Sequence, residues 1–123
     1  MGDDGGMKSQ LAALLLILHG VVGAAEETWA VVGQQGLVRQ VIVPTDLAKD
    51  SGAYQRQIGL LCGGSDRTCF LNFYTNSSGA ALAVPLPDAI ANEPTAVYRR
   101  SNKQQGEFFR FSCRLQLDLQ NCF

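Results

Sequence analysis

Phe109-Arg110-Phe111-Ser112-Cys113-Arg114-Leu115-Gln116-Leu117-Asp118-Leu119-Gln120 alternates apolar and polar side chains without a break from Phe109 to Leu119. A β-strand turns successive side chains to opposite faces, so this period of two predicts one long, half-buried strand with a solvated face, as antiparallel sheets carry. Arg110 and Arg114 fall on its outward face. Upstream, Cys69-Phe70-Leu71-Asn72-Phe73-Tyr74-Thr75 reads as another strand and Asn76-Ser77-Ser78-Gly79 as a turn. Between them Ala80 to Leu86 is apolar, but Pro85 and Pro87 confine any strand there to a sheet edge. Asp88 then caps a helix from Ala89. Ile90, Pro94, Val97 and Tyr98 continue its spacing with a kink or restart at Pro94, against a rival extended segment over Thr95 to Tyr98.

Further towards the N-terminus, Tyr54, Ile58, Leu61 and Cys62 recur at helical spacing. They predict a helix over Ala53 to Cys62, capped by Ser51 and stopped by Gly63-Gly64. Thr45-Asp46 caps a single turn, Leu47 to Lys49. Thr28 to Val32 and Leu37 to Val43 read as two strands of a hairpin, with Gly33-Gln34-Gln35-Gly36 as its loop and Pro44 as its end. Trp29 is expected in the core. The order β-β-α-β-α-β makes this an α+β domain, a small and mostly antiparallel sheet with one or two short helices.

Met7-Lys8-Ser9-Gln10, the apolar run Leu11 to Leu18 and the small residues Val22-Gly23-Ala24-Ala25 have the layout of a secretory signal peptide. The run is too short for a comfortable membrane span. Residues 1–25 are therefore expected to form an N-terminal extension and a cleaved signal, with translation starting at Met7 and the mature domain covering residues 26–123. The one histidine, His19, leaves with the signal. Removing Lys8 from the ten basic residues, and Asp3 and Asp4 from the eleven acidic ones, leaves nine of each. A near-neutral domain has no global field to steer it to nucleic acid or anionic lipid.

Export places all four cysteines in an oxidising compartment, where structural disulfides form. Of three connectivities, Cys62–Cys69 and Cys113–Cys122 are favoured, because they staple helix to strand and tail to strand. Pairings of Cys113 with Cys62 or Cys69 stay open. The spacings match neither a zinc site nor a C-x-x-C redox motif, and no metal or other cofactor is expected. Without histidine, Ser-His-Asp and Cys-His chemistry is excluded. Paired carboxylates remain for glycoside hydrolysis, with Asp46, Asp50, Asp66, Asp88, Glu93, Glu107 and Asp118 as candidates. Asn76-Ser77-Ser78 fits the N-glycosylation pattern.

Arg99, Arg100 and Lys103 cluster beside Tyr98 and form the candidate contact for an acidic partner; Arg110 and Arg114 extend it if their strand face is near. The runs Cys69–Tyr74, Pro85–Pro87, Ala96–Arg100 and Gly106–Cys113 resemble a type of small exported bacterial envelope protein of uncharacterised function. Such proteins carry an aromatic strand after a cysteine, a proline-bounded segment, a Tyr-containing helix and a final strand with a cysteine. The resemblance implies a bacterial envelope location and α+β architecture and assigns no functional residue. The resulting expectation is a periplasmic or secreted binding module, inhibitor-like or immunity-like. It would recognise another envelope or extracellular protein, without nucleic acid and without a membrane span after signal cleavage. A glycan hydrolase and a self-associating envelope component are the alternatives, the last giving a homo-oligomer.

Overall fold

A computed structural model describes residues 26–64, 67–103 and 106–123; the expected signal peptide, its cleavage site and Asp66 lie outside them. The fold is α+β. Five strands form one sheet in the order β1-β2-β3-β4-β5: β1 (Ala30–Gln35), β2 (Val38–Ile42), β3 (Cys69–Tyr74), β4 (Pro94–Arg100) and β5 (Glu107–Phe111). Helix α1 (Ser51–Cys62) makes the crossover between β2 and β3, which are parallel as such a connection requires. The other three pairings are antiparallel.

The sequence decides each of these locally. Asp50, one residue before the expected Ser51, caps α1 by accepting from the Ala53 N–H at 3.1 Å. The helix ends where Gly63 takes a φ of +72°, a value that glycine adopts without a Cβ clash. Its last carbonyls, left without partners inside the helix, are taken by arginines. Arg39 Nη2 donates to Leu61 O at 2.9 Å, and Arg100 Nη2 donates to Cys62 O at 3.2 Å. The turn after Pro44 is a 3₁₀ turn, Thr45–Leu47.

Two elements differ from expectation. The helix from Asp88 lasts one turn, α2 (Asp88–Ala91), and the chain then enters β4 at Pro94 instead of restarting as a helix. Thr95 and Val97 suit a strand, and β4 is bonded on both sides. The final strand stops at Phe111. The Ser112 N–H makes a last bond to Thr95 O, Cys113–Leu115 forms a 3₁₀ turn, and Gln116 sits in the left-handed region at φ +58°. The hairpin turn is also tighter than the expected loop, since β1 runs on through Gly33 to Gln35.

Both favoured disulfides are formed, Cys62–Cys69 and Cys113–Cys122, and no cysteine is free. The core fills the space between α1 and one sheet face, with Val41, Val43, Leu71, Phe73 and Ala96 on the sheet and Ala53, Tyr54 and Ile58 on the helix. Tyr54 is its hub, with ring centroids 5.1–5.3 Å from Trp29, Phe73, Phe109 and Phe111. The buried Gln57 side chain ties the incoming N-terminal segment to α1. It accepts from the Trp29 N–H and donates to Glu27 O, both at 2.8 Å. Among the described residues, no helix is long and apolar enough to cross a membrane.

Candidate functional site

The face of the sheet turned away from α1 is read off the strand register. One row across it is Gln35, Val38, Phe70, Arg99 and Phe108; the next is Gly33, Gln40, Asn72, Val97 and Arg110. Over β1 and β2 this face is covered by the segment 80–86. Val84 packs so closely on Gly33 that a Cβ there would lie 2.7 Å from its Cγ2. Gln40 beneath is buried. Over β3, β4 and β5 the face is open.

That open part is built from arginines stacked on aromatic rings. The Arg99 guanidinium lies 5.5 Å from the Phe70 ring centroid, and the Arg110 guanidinium 4.6 Å from that of Phe108. A cation–π contact of this kind attracts the guanidinium to the ring face. Arg99 is further fixed by donating to Tyr98 O at 2.9 Å, Leu71 O at 3.0 Å and Asn72 Oδ1 at 2.8 Å. All three acceptors are neutral, so its charge is half-buried without a counter-charge. Burial pulls its pKa below the usual arginine value. Arg110 is exposed, and among the described residues its interaction is with the Phe108 ring. Phe108 is 42 % exposed. Among the described strand residues the one carboxylate is Glu107, which lies on the α1 side with Tyr98.

The contiguous cluster Tyr98-Arg99-Arg100 is split by the pleat. Arg99 points to the open face, whereas Tyr98 and Arg100 point to the α1 side. Tyr98 is buried and donates its hydroxyl to Glu107. Burial first, and then that carboxylate, push its pKa up to about 12. Arg100 is spent on the end of α1, with further bonds to the carbonyls of Gly63 and Arg67. Lys103 is exposed in the β4–β5 connection. Arg114, expected on the outward face of a strand, instead donates to Pro94 O at 2.6 Å. The sequence reading missed Phe70, Asn72, Tyr74 and Phe108. The available signal was that Phe70, Asn72 and Tyr74 alternate with the core residues Cys69, Leu71 and Phe73.

A cleft of about 650 Å³ opens where residues 26–30 pass Ile42, Leu47 and Leu82, and its carboxylates are Glu26 and Glu27. Glu26 is paired with Arg56 at 3.1 Å. None of the six described candidate acids lines this cleft. Asp50 caps α1 and Glu107 holds Tyr98. Glu93 accepts from the hydroxyls of Ser77 at 2.7 Å and Thr75 at 2.8 Å. Among the described residues no group of acids, cysteines or histidines is placed to hold a metal. The Ser77 and Thr75 bonds lower the Glu93 pKa. A lowered folded-state pKa means stability that is present above the unfolded value near 4.5 and lost as pH falls below it. Melting temperature should therefore drop on acidification through this range, and Glu93→Gln should flatten that drop; an unaltered acid limb in the variant would refute the assignment.

The chain matches no protein-family model, no curated protein and no solved structure. Fold and face together define a class only, a disulfide-stapled α+β domain with one sheet face packed and the other partly open.

Proposed function

We propose that the protein is an exported binding module, periplasmic or secreted, which recognises another extracytoplasmic protein through the open face of β3–β5. One observation carries this reading: Arg99 and Arg110 sit over aromatic rings, and among the described residues the strands present no carboxylate on that face. Arginine and aromatic side chains dominate the binding energy of protein interfaces. Two disulfides suit an oxidising compartment, which agrees with the signal-like N-terminal sequence. Of the six described acids considered for glycan hydrolysis, Asp50 caps α1, Glu93 holds Ser77 and Thr75, Glu107 holds Tyr98, and none lines the cleft at residues 26–30. Self-association through this face would set like charges against one another, because a two-fold contact brings the same patch of both copies together.

The test uses the full chain, exported so that its cysteines oxidise, as bait against envelope extract. A stoichiometric partner should be retained by the wild type and by Lys103→Glu. Retention should fall about tenfold or more with Arg110→Glu, as for reversal of an interfacial charge. Loss with Lys103→Glu and not with Arg110→Glu would move the contact to the β4–β5 connection and overturn the open-face reading.

A further inference from the structure

We propose that the feature recognised by the open face is a short extended peptide segment of the partner carrying carboxylates at positions i and i+2. This rests on the binding-module reading above and specifies its ligand.

Charge gives the sign. Two guanidinium groups lie on this face, and among the described residues its strands present no carboxylate to them. Arg99 has three neutral acceptors, which leaves N–H donors of its fork unspent. Among the described residues Arg110 has its whole fork available apart from its contact with the Phe108 ring. A carboxylate meets such a fork with two parallel charge-assisted hydrogen bonds, stronger than neutral ones.

Register gives the spacing. Arg99 stands opposite Phe108, and Arg110 is two residues further along β5. The two arginines are therefore diagonal neighbours, about 7–8 Å apart at the backbone. In an extended chain, residues i and i+2 point the same way and lie about 6.4–6.8 Å apart. The guanidinium groups spread wider than the backbone, Arg99 reaching over Phe70 and Asn72 of β3 and Arg110 over Phe108 of β5, so two long acidic side chains on one side of an extended chain, at i and i+2, can reach both, whereas adjacent acids point to opposite sides.

Size limits the occupant. Three strands of about five residues cover a patch about 14 Å by 17 Å. This is far below the roughly 800 Å² that each partner gives to a standard globular interface. A single extended segment fits, and the exposed Phe108 ring offers it an apolar contact. A nucleic acid or other polyanion draws its affinity from many phosphate contacts, and this face supplies two cations.

The experiment is a titration followed by NMR at the Arg99 and Arg110 side-chain Nε–H signals. The probes are acetyl-Val-Glu-Tyr-Glu-Val-amide and its isomer acetyl-Val-Glu-Glu-Tyr-Val-amide, with oligothymidylate and trigalacturonate alongside. The first peptide should shift both signals and bind about tenfold more tightly than its isomer, a ratio that corresponds to one well-formed charge-assisted contact. Affinity should fall on raising salt from about 0.01 M to about 0.15 M. Arg110→Gln should weaken binding about tenfold at an unchanged melting temperature, since Arg110 holds no other element in place. Arg110→Lys should restore it in part, keeping charge without the fork. Equal affinity for the two isomers, tighter binding of either non-peptide probe, or no binding of any probe would overturn the i, i+2 proposal. The binding-module reading survives those results if Arg110→Glu still releases the partner from the bait, and falls with the proposal if it does not.

Discussion

Tyr54→Ala should destabilise the domain by about 3–5 kcal/mol, the range for deleting a buried aromatic ring. Domains of this size have a total stability of roughly 5–15 kcal/mol, so the variant should be partly unfolded at ambient temperature or melt far below the wild type. The reason is position. Tyr54 is fully buried on α1, and four other rings pack around it. Three of the five strands place an aromatic residue in or next to this cluster, so its loss leaves a cavity touched by both ends of the sheet. The hydroxyl contributes separately. It donates to Ala48 O at 2.6 Å, and Tyr54→Phe should cost about 1 kcal/mol for that bond. Urea denaturation of the two variants separates the terms. Equal loss in both would mean that the hydrogen bond, not the ring, holds α1 to the sheet. Burial also pushes the Tyr54 pKa from 10.0 up to about 12. A raised folded-state pKa stabilises below the unfolded value and is lost as pH rises through the folded one. The wild type should accordingly weaken between about pH 10 and about pH 12, less steeply in Tyr54→Phe.

The physics that makes Tyr54 the hub also explains what was legible beforehand. Its helix was readable because Tyr54 and Ile58 repeat at the helical period and a glycine follows the last turn. Strand β3 was readable because it is rich in aromatic residues, Phe70, Phe73 and Tyr74. The alternation from Phe109 to Leu119 misled beyond Phe111, since periodicity records which side chains are apolar and not what covers them. Leu115 is buried from within a 3₁₀ turn, while Leu117 and Leu119 are 44 % and 70 % exposed. Tertiary pairing ends the strand: the Cys113 N–H donates to Phe123 O, and the Phe123 N–H to Phe111 O. Strand β4 was legible only as the rival extended reading of Thr95 to Tyr98, because Pro94 at helical spacing from Ile90 reads as a kink when its neighbours in the sheet are unknown. The candidate site was legible by half for a similar reason. Adjacent residues look like one cluster in sequence, yet once Tyr98-Arg99-Arg100 is a strand its members must part to opposite faces. Arg99 gains Phe70 and Phe108 as neighbours from two other strands, and only the register reveals them.

Replacing both disulfides should cost about as much as removing the Tyr54 ring. Each bridge closes a short loop, with cysteines 7 and 9 residues apart. In the chain-entropy account each should contribute about 2.5 kcal/mol, or about 5 kcal/mol together. The two bridges should nevertheless fail differently. Cys62→Ser with Cys69→Ser frees the end of α1 from the start of β3, where Arg39 and Arg100 still hold the last helical carbonyls; the expected result is a lower urea midpoint with the same monomeric mass. Cys113→Ser with Cys122→Ser frees the C-terminal tail, whose Phe123 closes the end of β5. β5 is an outer strand of the sheet, and uncovered strand edges template pairing with other chains. This second variant should therefore lose a similar amount of stability and also associate as concentration rises, which light scattering across a dilution series would detect. Association by the first variant and not the second would show that the tail does not guard the edge. The combined loss has a consequence for where the chain can fold. A domain that gives up about 5 kcal/mol on reduction loses from a third to all of a typical 5–15 kcal/mol, and for a domain of this modest size the reduced folded state is marginal. Expressed as residues 26–123 in a reducing cytosol, the chain should accumulate as an unfolded or aggregated species; recovery of a stable reduced monomer there would remove the energetic link between this fold and an oxidising compartment.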